Sequence, residues 1–244
     1  LLLPAAAHAD GYSMTQTYIS ATVEADGSLT VVEGRQFDFD DDINGVFWEI
    51  NTGTNQQGGT AGVDVLSVEE EDTAFNKVDS ANKGDSGVYT VEQTSDGVRI
   101  KVFSPHESGD SAIYYVGYTM TGAVMNWADT AELYWKFVGD GWSADSDDVE
   151  MEVRFANAAA GTAAVKGDNF RAWGHGPLTG DVSLDADEPM VTYTIPCVHQ
   201  GEFAEARIAF PSDWVPQLTA SGEERMSTIM SEEKEWADEA NASR

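Results

Sequence analysis

The sequence predicts an all-β protein, an antiparallel, Ig-like β-sandwich, with one helix at its C-terminal end. Three observations predict it. Apolar and polar residues alternate with period two along about ten short runs, the pattern of strands with one face on a core and the other in water. The runs are joined by short turns rich in Gly, Asn and Asp, which link antiparallel neighbours. Only the final segment changes to a helical period.

The first pair of runs lies in Thr17–Phe39, where Asp26-Gly27 between two β-rich runs is a hairpin signal. Asp96-Gly97 repeats the device within Val88–Phe103, where Val98, Ile100 and Val102 alternate with Arg99, Lys101 and Phe103. Ala112–Thr121 is a further run rich in Tyr, Ile and Val. In Ala131–Val138, Leu133, Trp135 and Phe137 share one face, opposite Glu132 and Lys136. Val149, Met151, Val153 and Phe155 form a core face opposite Glu150, Glu152 and Arg154. Val191, Tyr193 and Ile195 alternate with Thr192 and Thr194. Phe203–Phe210 closes the series and Pro211 ends it. The Gly-, Thr-, Asn- and Gln-rich stretch from Asn51 to Gly62 reads as a mobile surface loop.

Gly122–Asp129 interrupts the strand pattern, so the sandwich is either one large unit or two lobes. The division expected is a first lobe over residues 10–125 and a second lobe, or its continuation, over residues 126–215. Residues 220–243 then form a helix or stalk. Ser221 and Glu224 have capping-box spacing for its start. Met226, Ile229, Met230, Ala237 and Ala240 follow helical spacing, with Glu233 the polar break. This weak amphipathicity predicts light docking or a stalk that leads to a membrane anchor outside the sequence.

Composition bounds the partners. The chain carries 43 acidic and 13 basic residues, a formal net charge of −30. That balance excludes nucleic acid, which needs clustered Lys and Arg, and opposes docking on anionic lipid. The hydrophobic fraction of 41% argues for a folded core. With one cysteine, Cys197, no internal disulfide is possible, so packing must supply stability. At the end of an alternating run, Cys197 reads as a buried thiol. Ala7-His8-Ala9 before Asp10 fits the small-x-small pattern of a signal-peptide cleavage site, so residues 1–9 read as the end of a leader and the rest as exported. No window of ~20 apolar residues is present to span a bilayer.

The order of DGSLTVVEGRQFDF, INGVFWEI, IYYVGYTM, AELYWKFVGDGW, GPLTG and ARIAFP resembles the extracytoplasmic N-terminal region of a bacterial membrane-protein family, domain of unknown function 2207. The likeness spans most of Asp10–Trp214. It departs at Trp48–Thr52, where members commonly carry an Arg before an Ile-Pro pair. The resemblance implies a leader, a β-rich exported domain, and membrane anchoring through transmembrane segments outside this chain. It implies no chemistry.

Several clusters of residues have the types that chemistry or metal binding uses. Asp38, Asp40, Asp41 and Asp42 form the densest carboxylate cluster and could wrap Ca²⁺, although the bidentate Glu of an EF-hand loop is missing. Asp145, Asp147 and Asp148 make a second acidic loop with the same potential. The histidines show no metal-ligand spacing, so a zinc site would require convergence in space. His175, between glycines, reads as an exposed loop residue. Cys197 and His199 share a strand face if the strand passes Pro196, and such a pair can activate a thiol. No nucleophile elbow, phosphate loop or dinucleotide fingerprint is present, and no catalytic residue is assigned. Among the seven tryptophans, Trp142 and Trp173 have turn-like surroundings and are the candidates for an exposed ligand-stacking surface. Two function classes follow. The first is a non-enzymatic surface module binding a protein or glycan. The alternative is an exported, glycan-acting hydrolase that uses paired carboxylates or Ca²⁺.

Overall fold

The computed structural model describes residues 11–52, 62–95 and 97–242. The expected leader end, nearly all of the expected surface loop and Asp96 lie outside the described residues.

The described residues are mostly β, in three sheets that do not close into a barrel. The strands of the first half are β1 (Tyr12–Val23), β2 (Leu29–Phe39), β3 (Ile43–Asn51), β4 (Gly62–Glu70), β5 (Thr73–Ala74), β6 (Asn76–Lys77), β7 (Val88–Gln93), β8 (Gly97–His106) and β9 (Ser111–Thr121). Those of the second half are β10 (Val124–Asn126), β11 (Ala131–Val138), β12 (Ser146–Phe155), β13 (Arg171–His175), β14 (Asp181–Asp185), β15 (Met190–Val198) and β16 (Ala204–Phe210). One helix, α1 (Met226–Ala242), follows.

The backbone of the fold is an eight-stranded sheet in the order β14-β15-β12-β1-β2-β9-β4-β5. Two four-stranded sheets complete it, β3-β8-β7-β6 and β10-β11-β16-β13. Most pairs are antiparallel, as the hairpin turns require. At Asp26-Gly27 the β1–β2 turn forms, with Gly27 at φ +79° and Asp26 Oδ1 accepting from the Ser28 N–H at 2.9 Å. The exceptions are β1–β12 and β6–β7, which run parallel. The β1–β12 ladder joins strands of both expected lobes, so the large sheet is continuous across residue 126.

Period two places one face of that sheet inward. Ile19, Ala21 and Val23 of β1 stand level with Met151, Val153 and Phe155 of β12 and are all buried. Phe37 of β2 tilts onto Trp48 of β3 at 6.2 Å, and Phe137 of β11 onto Tyr193 of β15 at 5.6 Å. Each small sheet therefore packs on its own half of the large one. Phe155, Phe170, Phe210 and Trp214 close one end with ring separations of 4.8–5.9 Å. A single apolar core runs through all three sheets.

The neighbouring strands β11 and β16 depart from alternation and are buried on both faces. On β11, Glu132 and Tyr134 are as buried as Leu133 and Trp135. The reason is α1, which covers the outer face of the β11–β16 pair. Arg207 of β16, 1% exposed, donates from Nε to Glu132 at 2.7 Å, from Nη1 to Glu233 at 2.9 Å and from Nη2 to Glu232 at 2.6 Å. Glu233 is thus a docking residue rather than a break in the stripe. Its start differs too. The N–H groups of Arg225 and Met226 donate to the two carboxylate oxygens of Asp129 at 2.8 and 3.1 Å, so a residue from a distant loop caps the helix in place of the Ser221 box. Among the described residues, no helix is long and apolar enough to cross a membrane.

Candidate functional site

The segment 139–145 connects β11 to β12 and passes over the β3–β8 sheet edge. Its Trp142 is 7% exposed, a mostly packed ring rather than the exposed one expected there. The ring meets Trp48 edge-on at 5.6 Å, and the Arg35 guanidinium lies over it at 4.0 Å. Arg35 is buried in the core, an expensive position for a charge unless it is fully paired. Glu33, two residues away on the same face of β2, accepts from Arg35 Nε at 2.8 Å. Arg35 Nη1 donates to Ser146 Oγ at 2.9 Å and to Thr17 Oγ1 at 3.3 Å. Tyr118 donates to the other Glu33 oxygen at 3.5 Å. Burial, and then the Glu33 charge, hold the Tyr118 phenol well above its ordinary range. This charged plug braces Trp142 from beneath.

Above the plug opens a cleft of about 270 Å³, lined by Tyr12, Phe47, Glu49, Arg99, Gly141, Trp142 and Ser143. Three of its walls are aromatic. Phe47, on the outward face of β3, is 55% exposed. Tyr12 and Ser143 share a hydroxyl hydrogen bond at 3.1 Å. At the rim Arg99 Nε donates to Glu49 Oε1 at 2.7 Å. Gly141 lies close to the rim, where a Cβ would sit 2.7 Å from Glu49 Oε2 and would push that flexible carboxylate aside. The cleft can take a flat, partly apolar group and offer it a carboxylate, a guanidinium and hydroxyls.

Trp173 does not share this cleft. It sits on β13 opposite Arg207, half-buried, in a strand rather than a turn. His175, on the same strand, is not an exposed loop residue. Its Nε2 lies 3.1 Å from Glu233 and its ring meets Trp236 edge-on at 5.0 Å.

The Asp38–Asp42 carboxylates are spread along the end of β2 and the loop that follows. Asp38 is half-buried on β2, while Asp40, Asp41 and Asp42 are exposed. Asp42 Oδ1 accepts from the Ser108 N–H at 3.0 Å, and the Asp40 and Asp41 N–H groups donate to the Gly11 carbonyl. Among the described residues, the metal-ligating atoms that converge belong instead to Asp145, Cys197 and His199.

Cys197 is half-buried on β15 rather than buried. His199 Nδ1 lies 3.4 Å from its sulfur and 2.9 Å from Asp145 Oδ2. A catalytic relay places acid and nucleophile on opposite ring nitrogens, whereas here both meet Nδ1. Burial, then Asp147 and Asp145, push the thiol up to about 12, so it holds its proton. The Asp145 hydrogen bond and charge raise His199, while that bond and the Gln200 N–H bring Asp145 below its usual range against the opposing effect of burial.

A second histidine group was missed from sequence. His106 Nε2 lies 3.3 Å from Ser104 Oγ and 2.9 Å from the Tyr114 hydroxyl. Ser104 is 5% exposed and its hydroxyl donates to Glu70, so this serine is a core tie.

A family model described as the N-terminal domain of a predicted membrane protein, DUF2207, matches residues 13–210, and the chain belongs to that family. No curated protein matches the chain. Among solved structures, it is similar to a putative nutrient binding protein from Legionella pneumophila, with a TM-score of 0.50 and 10% identity over 85% of this chain and 70% of the other. It also matches native leukotriene A4 hydrolase from Saccharomyces cerevisiae (TM-score 0.46, 8% identity, 81% of this chain and 29% of that one). An M1 zinc metallopeptidase from Deinococcus radiodurans gives a TM-score of 0.41 and 12% identity over 81% of this chain and 42% of the other. The chain thus spans well under half of either enzyme, and the likeness to the Legionella protein is one of fold.

Proposed function

We propose that this member of the DUF2207 family is a non-enzymatic, extracytoplasmic binding module of a membrane-anchored protein, and that the cleft beside Trp142 receives its ligand. One observation carries the reading. Tyr12, Phe47 and Trp142 are fixed on or against strands around a space of about 270 Å³, with the Glu49–Arg99 pair at its rim. That space is at the small end of ligand pockets and matches one ring-sized group. Aromatic faces beside paired polar groups suit a pyranose, whose C–H face stacks while its hydroxyls bond to the rim. The ligand is therefore a sugar unit of a surface glycan. The leader pattern at Ala7-His8-Ala9 supports export, and the family's description as a predicted membrane protein supports anchoring outside this chain. The net charge of −30 opposes nucleic acid as a partner. The Ig-like sandwich belongs to the same proposal, supported by small sheets laid over one face of a large one.

Calorimetry and NMR titration against a panel of mono- and oligosaccharides test the reading. Binding should weaken at least tenfold in Phe47→Ala and in Arg99→Ala, whose side chains are too exposed to be needed for folding. Binding that neither change alters, or none across the panel, refutes the site. Turnover of any glycan by the wild-type protein would reinstate the hydrolase.

A further inference from the structure

We propose that Asp145, Cys197 and His199, supported by Asp147, form a binding site for one zinc-class divalent ion at the end of the β12–β15 ladder. Sheet register builds the site. The ladder pairs Asp147 with Cys197 and Ser146 with Val198, and one step further Asp145 meets His199. An Asp-x-Asp pair on one strand and a Cys-x-His pair on its neighbour therefore project from the same face, directly opposite each other.

The donor atoms have the spacing of a coordination face. Cys197 Sγ, His199 Nδ1 and Asp145 Oδ2 are separated by 3.4, 2.9 and 3.8 Å. Bonds of ~2.0–2.3 Å to N, O and S set tetrahedral edges of roughly 3.4–3.6 Å. All three observed edges lie within about half an ångström of these. Asp145 is already oriented, since its other oxygen accepts from the Gln200 N–H at 2.7 Å and leaves Oδ2 facing the sulfur and the imidazole.

Charge and donor type select the ion. Asp145 Oδ2 meets the His199 imidazole at 2.9 Å, Glu202 accepts from the His199 N–H at 3.2 Å and Asp147 stands opposite Cys197 in the ladder, so three carboxylates gather at one imidazole, a surplus of negative charge that a bound cation balances. Sulfur and imidazole donors reject Ca²⁺ and Mg²⁺, which take oxygen, and favour Zn²⁺ or Co²⁺. Binding forms metal–sulfur, metal–nitrogen and metal–oxygen bonds and releases the thiol proton, and any proton on Nδ1, to solvent. No electron is transferred.

Co²⁺ titration of the purified protein is the test. The expected result is a thiolate-to-cobalt band in the near ultraviolet and visible bands of tetrahedral intensity, saturating at one equivalent on a monomer and displaced by Zn²⁺. The near-ultraviolet band should vanish in Cys197→Ser. In His199→Ala, an exposed position whose loss leaves the fold intact by circular dichroism, one-equivalent binding should vanish. Asp145→Asn should weaken Zn²⁺ at least tenfold in competition with a chromophoric chelator, and Asp42→Asn should change nothing. Absence of the band at one equivalent, its survival in His199→Ala, or its appearance only in a dimer overturns the site. Phe47→Ala should bind Co²⁺ normally, so failure of the glycan cleft and failure of the metal site are separate results.

Discussion

Individual residues show how this chain keeps charge in its interior. Arg35 combines a carboxylate, two hydroxyls and two neighbouring indole rings, so its charge is met by a counter-ion, hydrogen-bond acceptors and aromatic rings. Arg35→Met should destabilise the protein by about 3–5 kcal/mol, because Glu33 remains buried without its cation, and denaturant unfolding measures this directly. Removing both charges together, with Arg35→Met and Glu33→Leu, should recover much of the loss. A double mutant as unstable as the single one would mean that packing of Trp142, not the ion pair, sets the cost. Cys197 gives a kinetic prediction. A thiol pushed up to about 12 has little thiolate, and its higher intrinsic nucleophilicity offsets only part of that, so alkylation by iodoacetamide at pH 8 should be roughly 30-fold slower than in the unfolded chain. Asp147→Asn should accelerate it. Neither residue was readable as such from sequence. Arg35 occupies a core-facing position in a run that otherwise alternates cleanly, and only its pairing with Glu33, Thr17 and Ser146 beside Trp142 and Trp48 explains why it is tolerated.

At the scale of elements, period-two patterning carried most of the strand positions, because a half-buried strand writes its environment into every second residue. What it could not carry is pairing between distant strands. β1 and β12 lie more than a hundred residues apart, and their parallel ladder follows from packing over a shared core rather than from any turn between them. The same limit hid the metal-ligand cluster: both of its dipeptide-spaced pairs were visible, but their meeting depends on the β12–β15 register. It also hid the second buried face of β11, which exists because α1 lies over it. That docking gives a prediction at this scale. Glu233→Ala removes one of three carboxylates from Arg207 and the partner of His175 Nε2. A hydrogen bond to a charged group contributes ~1.5–3 kcal/mol, so amide exchange across α1 should rise at least tenfold by local opening. Exchange in β1, β2 and β9 should stay unchanged. A uniform rise through the central sheet would show instead that the helix and the sheets unfold as one unit.

The whole molecule is governed by two long-range effects, and they act in different solvent ranges. The first is alkaline. Tyr114, Tyr118, Tyr134 and Tyr193 all titrate above the ordinary phenol range, chiefly through burial. Their folded values exceed the unfolded value of about 10, so their contribution is constant below that pH and is lost as pH rises above it, when the unfolded chain releases protons that the fold retains. Thermal stability should fall steeply above pH 10, with phenolate absorbance rising in step with unfolding. The second effect is ionic. A net charge of −30 on a fold of this size repels itself, while the 13 basic residues are too few to offset 43 acids. Exposed pairs such as Arg99–Glu49 and Lys101–Glu92 pull the other way, but each is worth at most about 1 kcal/mol and salt weakens them as well. Repulsion should therefore dominate, and added NaCl should raise Tm. A gain of 2–3 kcal/mol corresponds to roughly 5–10 °C in a chain of this length. Its shape identifies the cause. The screening length falls from ~30 Å at 0.01 M to ~8 Å at 0.15 M, so most of the rise should be complete by then. A rise that continues in proportion to salt up to 1 M would be exclusion of salt from apolar surface, and a fall would mean that the buried arginine networks, not the acidic exterior, set the response.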